Sequence, residues 1–410
     1  MLTFDQVKEL RKDAKEKILT QKEIGKKFGL SRSTVSDISC GRIYKQPSTK
    51  DFITTDPLTK LQAENIHLKE ELSIYKQQTK KLLKCQGLYQ EIMGNLSDVI
   101  KPFTSLPLAR KPYKNKNISI EHLVMHLSDG HHDQIVTPEE CGGLEKYDFS
   151  ISCCRAEKYV DTLLKWTQET LYPNFRFPSL TVLAYGDHTS GEIHNNVPRS
   201  QFRNQFQNCL AIGQLHAMIY RDLAPYFEQI NVLYVPGNHG RRSFKKDYHG
   251  AHDNWDYLVA KTAEIYCRKL NNVSFTIPNA YSINIEIAGN GFSVFHGDDI
   301  RSQMGIPWYG LERKKYRLLA LNSLSISTPI RYSCCGHFHR PTTIANLNGE
   351  MLINGSWVAT DAFIYESFGG YTEPTQLLHG VNEKGITWKL PVRLKCDYEN
   401  EGPKRYKVTI

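Results

Sequence analysis

The chain has 410 residues, 52 Lys and Arg against 43 Asp and Glu, and 40% hydrophobic residues. That is length for two or three domains at about 150 residues each, with ample chain for a core. A mean hydropathy of −0.46 and the lack of an apolar run of about 18 residues exclude a membrane-spanning protein. The charge is uneven: residues 1–120 carry 23 basic and 13 acidic side chains, a net of +10, and the rest carry 29 and 30. An anion-binding module joined to a near-neutral body fits that asymmetry, and so does a basic surface that is simply solvated. The opening segment MLTFDQVKELRKDAKEK has no apolar stretch with a cleavage site, so no secretory signal is expected and the predicted location is cytoplasmic. Ten cysteines form no CxxC pair, and Cys153–Cys154 and Cys334–Cys335 lack zinc-ribbon spacing. They are expected to be reduced and structural.

Phe4, Val7, Leu10, Ala14 and Ile18 recur at helical spacing. In the next segment, QKEIGKKFGLSRSTVSDISCGRIYK, Ile24 and Phe28 share a helix face and Gly29 breaks that helix at a turn. Ser31 can cap a second helix whose Val35 and Ile38 face inward. The small Gly25, the turn glycine Gly29 and Val35, ten residues after Gly25, resemble a helix-turn-helix DNA-binding unit. The resemblance implies that Arg32, Ser33, Thr34, Ser36 and Asp37 reach base edges, while Lys22, Lys26, Lys27, Arg42 and Lys45 meet phosphates. An ordinary helical hairpin with a lysine-rich solvated side is the plainer reading of the same residues.

Residues 46–57 read as a polar linker closed by Pro57. Leu58, Leu61, Asn65, Leu68, Leu72, Tyr75, Thr79 and Leu82 then keep a 3–4 spacing. The pattern predicts a homodimeric coiled coil through residues 58–86 with Asn65 at an a position; its rival is one long amphipathic helix lying on the catalytic body. Gly87, Gly94 and KPFTSLPLARKPYKNKN read as a basic linker. Three regions result: a helix-turn-helix domain over 1–50, a linker and coiled-coil helix over 51–117, and a catalytic domain over 118–410.

From residue 118 short apolar runs alternate with helix-length segments. Strands are predicted at 119–127, 180–186, 231–236, 283–288, 292–296, 330–335 and 350–354, and helices at 150–170, 202–228 and 254–270. Alternation first and consecutive strands later predict an α/β fold, a mixed β-sandwich flanked by helices. Five strand ends deliver polar residues beside a glycine: Ser128-Asp129-Gly130-His131, Gly186-Asp187-His188, Gly237-Asn238-His239, His296-Gly297-Asp298 and Gly336-His337-Phe338-His339. One histidine after a strand is usually structural. Five such ends in one domain point to a metal site.

Oxygen and imidazole donors without thiolate suit Mn²⁺, Fe or Zn²⁺, and there are more of them than one ion needs. Two ions about 4 Å apart can activate water as a nucleophile and clamp phosphoryl oxygens. DGH, GDH, GNH, a lone His and GHFH, in that order, resemble the calcineurin-like metallophosphoesterase superfamily over roughly residues 118–360. The resemblance implies two divalent ions, with Mn²⁺ favoured over Fe or Zn²⁺. Asp129, His131 and His339 would hold the first, Asn238, His296 and His337 the second, and Asp187 would bridge them. It implies that His239 steadies the transition state or protonates the leaving oxygen. The chain departs from the family at Gly240-Arg241-Arg242, where an acidic residue often follows GNH, and this suggests an arginine at the phosphate. His132, His188 and His194 are expected to support the ligands, and Asp298 to be structural.

RRSFKK after GNH and GLERKKYRLLAL at 310–321 are basic stretches with aromatic residues, a composition suited to a nucleic-acid backbone. With the N-terminal module they predict a phosphodiesterase acting on DNA, a nuclease. The layout resembles proteins of bacteriophage or prophage origin, which implies the host cytoplasm. Two alternatives stay open: a phosphatase or cyclic-nucleotide phosphodiesterase on smaller targets, and a DNA-binding regulator with a vestigial metal site.

Overall fold

The computed structural model describes residues 4–15, 20–39, 57–110, 118–193, 202, 204–246, 250–301, 307–325, 328–345 and 348–408. Contacts divide the chain into two compact units, Met1–Ile92 and Met93–Ile410. Among the described residues no helix is long and apolar enough to cross a membrane.

In the first unit, α1 (Phe4–Lys15), α2 (Gln21–Phe28) and α3 (Arg32–Ser39) pack Val7, Leu10, Ile24, Val35 and Ile38 into one small core. Thr20 starts α2 with a capping box: its hydroxyl accepts from the Glu23 amide at 3.4 Å, and the Glu23 carboxylate accepts from the Thr20 amide at 2.7 Å. Gly29 ends α2 at φ +67°, in the left-handed region where a Cβ is penalised. Gly25 is needed for space rather than for conformation, since an added Cβ would lie 2.6 Å from the Leu30 carbonyl oxygen. Ser31 caps α3 by accepting from the Thr34 amide at 3.1 Å. α4 runs from Pro57 to Val99, and its Leu68, Leu72 and Tyr75 are exposed. Ile18, Arg42 and Lys45 lie outside the described residues.

The second unit is a four-layer sandwich. Its strands are β1 (Ser119–Ile120), β2 (His122–Leu127), β3 (Phe175–Arg176), β4 (Ser179–Ala184), β5 (Gln229–Tyr234), β6 (Val273–Thr276), β7 (Ser282–Ile287), β8 (Asn290–Phe295), β9 (Ile330–Cys335), β10 (Thr342–Ala345), β11 (Glu350–Ile353), β12 (Thr375–Asn382) and β13 (Gly385–Arg393). α5 (Phe149–Lys165), α6 (Gln205–Leu223) and α7 (Trp255–Cys267) are crossovers, and α8 (Trp308–Ser325) and α9 (Ala362–Phe368) follow. One six-stranded sheet has the order β13-β12-β2-β4-β5-β6, parallel from β2 to β6; a five-stranded sheet has the order β10-β11-β9-β8-β7.

Period-two alternation sends the central strands' side chains to two cores. Leu123, Met125, Leu180, Val182, Ile230 and Val232 face the crossover helices, whereas Val124, Leu183 and Leu233 meet Phe292, Val294 and Cys334 of the second sheet. Both faces being covered, these strands read as continuous apolar runs. Each fully buried aliphatic contributes about 1.5–3 kcal/mol. Residues 101–110, read from the sequence as linker, lie along this unit: the Phe103 amide donates to the Tyr266 carbonyl at 2.8 Å and the Ala109 amide to the Pro225 carbonyl at 3.1 Å. β12 and β13 were not expected. β13 is the sheet edge, where Pro391 costs no ladder bond. Cys141, Cys153, Cys154, Cys209, Cys267, Cys334, Cys335 and Cys396 are free thiols.

A polar pair sits inside the sandwich: His126 bonds the Tyr185 hydroxyl at 2.6 Å and His379 at 3.0 Å. Burial pushes His126 down to about 3 and His379 well below its ordinary value. Both are therefore neutral in the fold and take up protons only on unfolding, so stability is full above pH 6.5 and is lost as pH falls below it. His126→Gln, neutral at every pH, is expected to make the decline between pH 6.5 and pH 4.5 shallower by about 1.4 kcal/mol per pH unit in urea melts. In the first unit, Gly25→Ala is expected to cost about 1–2 kcal/mol by thermal denaturation, helix propensity offsetting part of the clash.

Candidate metal centre

The ends of β2, β4, β5, β8 and β9 converge at one edge of the sandwich. Asp129, His131 and His339 form one group of facing donor atoms, and Asp187, His296 and His337 form another. In the first, the Nε2 atoms of His131 and His339 are 3.3 Å apart, and Asp129 Oδ1 is 3.3 Å from His339 Nε2. In the second, His296 Nε2 lies 2.8 Å from Asp187 Oδ2 and 3.0 Å from Asn238 Oδ1. A third group of His131, Asp187 and His239 joins the two. The donor set fits divalent cations, because two imidazoles on one tetrahedral ion with bonds near 2.0–2.1 Å hold their nitrogens about 3.3 Å apart. His296 donates through Nδ1 to the Tyr185 carbonyl at 2.9 Å, which leaves Nε2 toward the carboxylate and amide oxygens.

The electrostatics suit a cation. Burial pushes the Asp187 carboxyl up, but His296 and His239 beside it hold it well below its usual range. Burial pushes His296 down, yet Asp187 opposite raises it to about 10. His337, buried and beside His296, is lowered to about 4 and stays neutral, as a ligand must.

The motifs use positive φ at donor residues as well as at glycines. Asp129, His131, Asp187, His337 and His339 themselves adopt positive φ, between 40° and 68°. Non-glycine residues hold that conformation at a cost of about 1–3 kcal/mol, and such strain gathers at functional sites. Among the motif glycines Gly186 and Gly297 do turn through positive φ, at 92° and 117°, whereas Gly130, Gly237 and Gly336 do not and provide space. A Cβ on Gly237 would collide with the Asp187 carboxylate, one on Gly336 with that of Asp129, and one on Gly130 with the His132 ring. Each carboxylate then caps the neighbouring loop: the His239 amide donates to Asp187 Oδ1 and the His337 amide to Asp129 Oδ1, both at 2.8 Å.

Sequence reasoning missed the supports. Asp256, buried in the first turn of α7, accepts from the amides of Asp187, His188 and Gly237 at 3.0, 3.1 and 2.9 Å, tying two ligand loops to one helix. Its sequence signal, Asn254-Trp255-Asp256, reads only as a helix start, and Asn254 does cap α7. Asp133 accepts from the Ser190 amide and the Thr189 hydroxyl, both at 2.8 Å. Asn354 holds Ser128 at 3.0 Å, and Ser128 donates to Asp129 at 2.6 Å.

The other singled-out residues divide. His239 is half-buried, and its Nδ1 donates to the Ser190 carbonyl at 2.9 Å. Arg241 donates through Nε to the Asn238 carbonyl at 3.1 Å, beside the second group; Arg242 instead pairs with Asp253 at 2.7 Å on the surface. Asp298 pairs with Lys246 at 2.8 Å. His132 and His188 belong to a separate buried group with His216, and His194 lies outside the described residues. In the N-terminal unit Arg32, Ser33 and Lys26 are exposed, and Thr34 and Ser36 are half-buried. Lys27 is tied at 2.8 Å to both Glu9 and Asp13, and the Ser33 and Thr34 hydroxyls bond Ser31.

No family model matches the chain, and no curated protein is similar to it in sequence. Among solved structures it is similar to wild-type Vps29 complexed with zinc from Entamoeba histolytica, at 10% identity and a TM-score of 0.28, over 66% of this chain and 99% of that one. It is also similar to a novel archaeal phosphodiesterase, at 11% identity, a TM-score of 0.30 and coverage of 66% and 99%. YfcE, a phosphoesterase from E. coli, matches at 11% identity and a TM-score of 0.26, again over 66% and 99%. Scores and identities this low transfer no property of those proteins to this chain.

Asp256→Ala strands three buried amide donors at about 1–3 kcal/mol each. It is expected to lower stability by at least about 3 kcal/mol in urea unfolding and to reduce bound metal per chain.

Proposed function

We propose that this protein is a metal-dependent phosphodiesterase acting on nucleic acid, a DNA nuclease held on its substrate by the N-terminal unit. The observation that carries the reading is the placement of Asp187 between the two donor groups, with Asp129, His131 and His339 on one side and Asn238, His296 and His337 on the other. Two divalent ions, Mn²⁺ by preference, would be held there; when bound, such a pair makes water acidic enough to attack near neutral pH and neutralises phosphoryl charge.

The chain's own residues do the rest. Asp187 orients His296 and, by accepting the His239 amide, fixes the loop that carries His239. His239 is anchored through Nδ1 on the Ser190 carbonyl, so Nε2 is the atom that delivers a proton to the leaving oxygen. Arg241, next to Asn238, is the phosphate contact in this reading; Arg242 is not, because Asp253 engages it. In the N-terminal unit Lys22 and Lys26 are exposed cations on α2 that would meet phosphates, with Arg32, Ser33, Thr34 and Ser36 nearer the bases. Lys27, paired with two carboxylates, contributes less. Self-association through residues 58–86 would present two such units, and the exposed Leu68, Leu72 and Tyr75 supply an apolar surface for it.

Mn²⁺-dependent cleavage of end-labelled single- and double-stranded DNA tests the activity. Asp187→Asn and His337→Ala are each expected to lose far more than the roughly 10–100-fold typical of residues that merely support a ligand. His239→Ala should lose turnover by about 10²-fold or more with bound metal unchanged. Cleavage that survives in Asp187→Asn refutes the proposal, and hydrolysis of p-nitrophenyl phosphate without DNA cleavage redirects it to smaller targets. Duplex binding should weaken steeply with salt, and less steeply for Lys26→Ala.

A further inference from the structure

Behind the strand ends, on the helix side of the six-stranded sheet, lie three histidines that the proposed reaction does not use. His132 follows β2, His188 follows β4 and His216 is on α6, and all three are fully buried. Their donor atoms form one group of facing ligand positions. His132 Nδ1 bonds the Ser152 hydroxyl of α5 at 2.6 Å, and His216 Nδ1 bonds the Tyr234 hydroxyl at 2.8 Å. The remaining nitrogens of these two rings, both Nε2, face each other at 3.2 Å. Among the described residues neither ring nitrogen of His188 has a hydrogen-bond partner. The rings meet nearly edge to face, His188 with His216 at 88° and His132 with His216 at 83°, so they do not stack.

Three features distinguish this from ordinary packing. The 3.2 Å separation of the Nε2 atoms matches that of two imidazoles on one tetrahedral ion, and it repeats the 3.3 Å spacing of His131 and His339 in the first centre. On two of the rings the far nitrogen is anchored by an oxygen, the arrangement that orients a metal-binding imidazole. The third ring brings two buried nitrogens that the described protein groups leave unpaired, a desolvation cost unless something else binds them. A hydrogen-bonded network alone would satisfy His132 and His216 through one shared proton and would leave His188 stranded.

We propose that His132, His188 and His216 form a third, enclosed metal site that takes one divalent cation of the Zn²⁺ type in a structural role. Nitrogen donors without carboxylate suit Zn²⁺, and full burial closes the site to exchange from solvent. The ion would clamp the loops after β2 and β4, which carry His131 and Asp187, onto α6.

The test is metal counting on the full-length protein refolded with excess Zn²⁺, before and after brief EDTA treatment. The wild type is expected to hold three ions per chain and to keep one through EDTA. Asp187→Asn should still keep that one, so the site stands or falls apart from the phosphodiesterase reading. His216→Phe should keep none. A wild type that keeps none through EDTA overturns the proposal, as does a folded His216→Phe that keeps the wild-type number through EDTA. Should His216→Phe not fold, the wild-type count decides alone.

Discussion

The structure depends on two buried carboxylates that each accept the backbone amide of another ligand loop. Asp129 caps the loop of His337, and Asp187 caps the loop of His239. The four loops so joined are therefore not independent: removing either carboxylate strands a neighbour's amide as well as a candidate donor to a cation. The glycines before Asn238 and His337 follow from the same contact, since they are where the carboxylates press against backbone. Positive φ at five of the donor residues is held in place by these interlocked contacts.

Around that knot the sandwich supplies rigidity. Parallel strands buried on both faces present their ends at one edge, the place where α/β sheets collect ligands. Asp256 couples two of those ends to α7. An ion triad with a buried arginine backs this edge: Arg155 pairs with Glu145 at 3.0 Å and with the partly exposed Glu399 at 2.8 Å and also donates to the Trp357 carbonyl, while the Trp357 amide donates to the Asp129 carbonyl at 3.0 Å. Such a triad adds little net stability over an apolar core, but breaking one member leaves a buried charge unpaired. Its position therefore ties the C-terminal segment to the integrity of the metal edge.

The N-terminal unit obeys simpler rules. A capping box, a left-handed glycine and five buried aliphatics are enough to place α1 to α3, because every interaction is local or between adjacent helices. Its chemistry is weaker than its fold. Hydroxyls and lysines that look free in sequence are partly engaged within the unit, with Lys27 the clearest case.

Much of this was legible without coordinates. Central strands and crossover helices were readable because burial on both faces leaves uninterrupted apolar runs between turn residues, and β9 is found at 330–335 as expected. Donor residues at the strand ends were readable because only a few residue types bind cations. Other features were not. β12 pairs with β2, some 250 residues away, and β13, its hairpin partner at the sheet edge, is disguised by Pro391. Asp256 looks like a helix start until the loops of Asp187 and Gly237 fold onto it. His132 and His188 look like neighbours of the first centre until α6 brings His216 to them. Sequence by itself determined which residues could bind, cap or be buried, since that is the chemistry of single side chains and short periods. Tertiary structure alone decided which of them face one another, because a distance between strand ends is set by packing across the whole sheet.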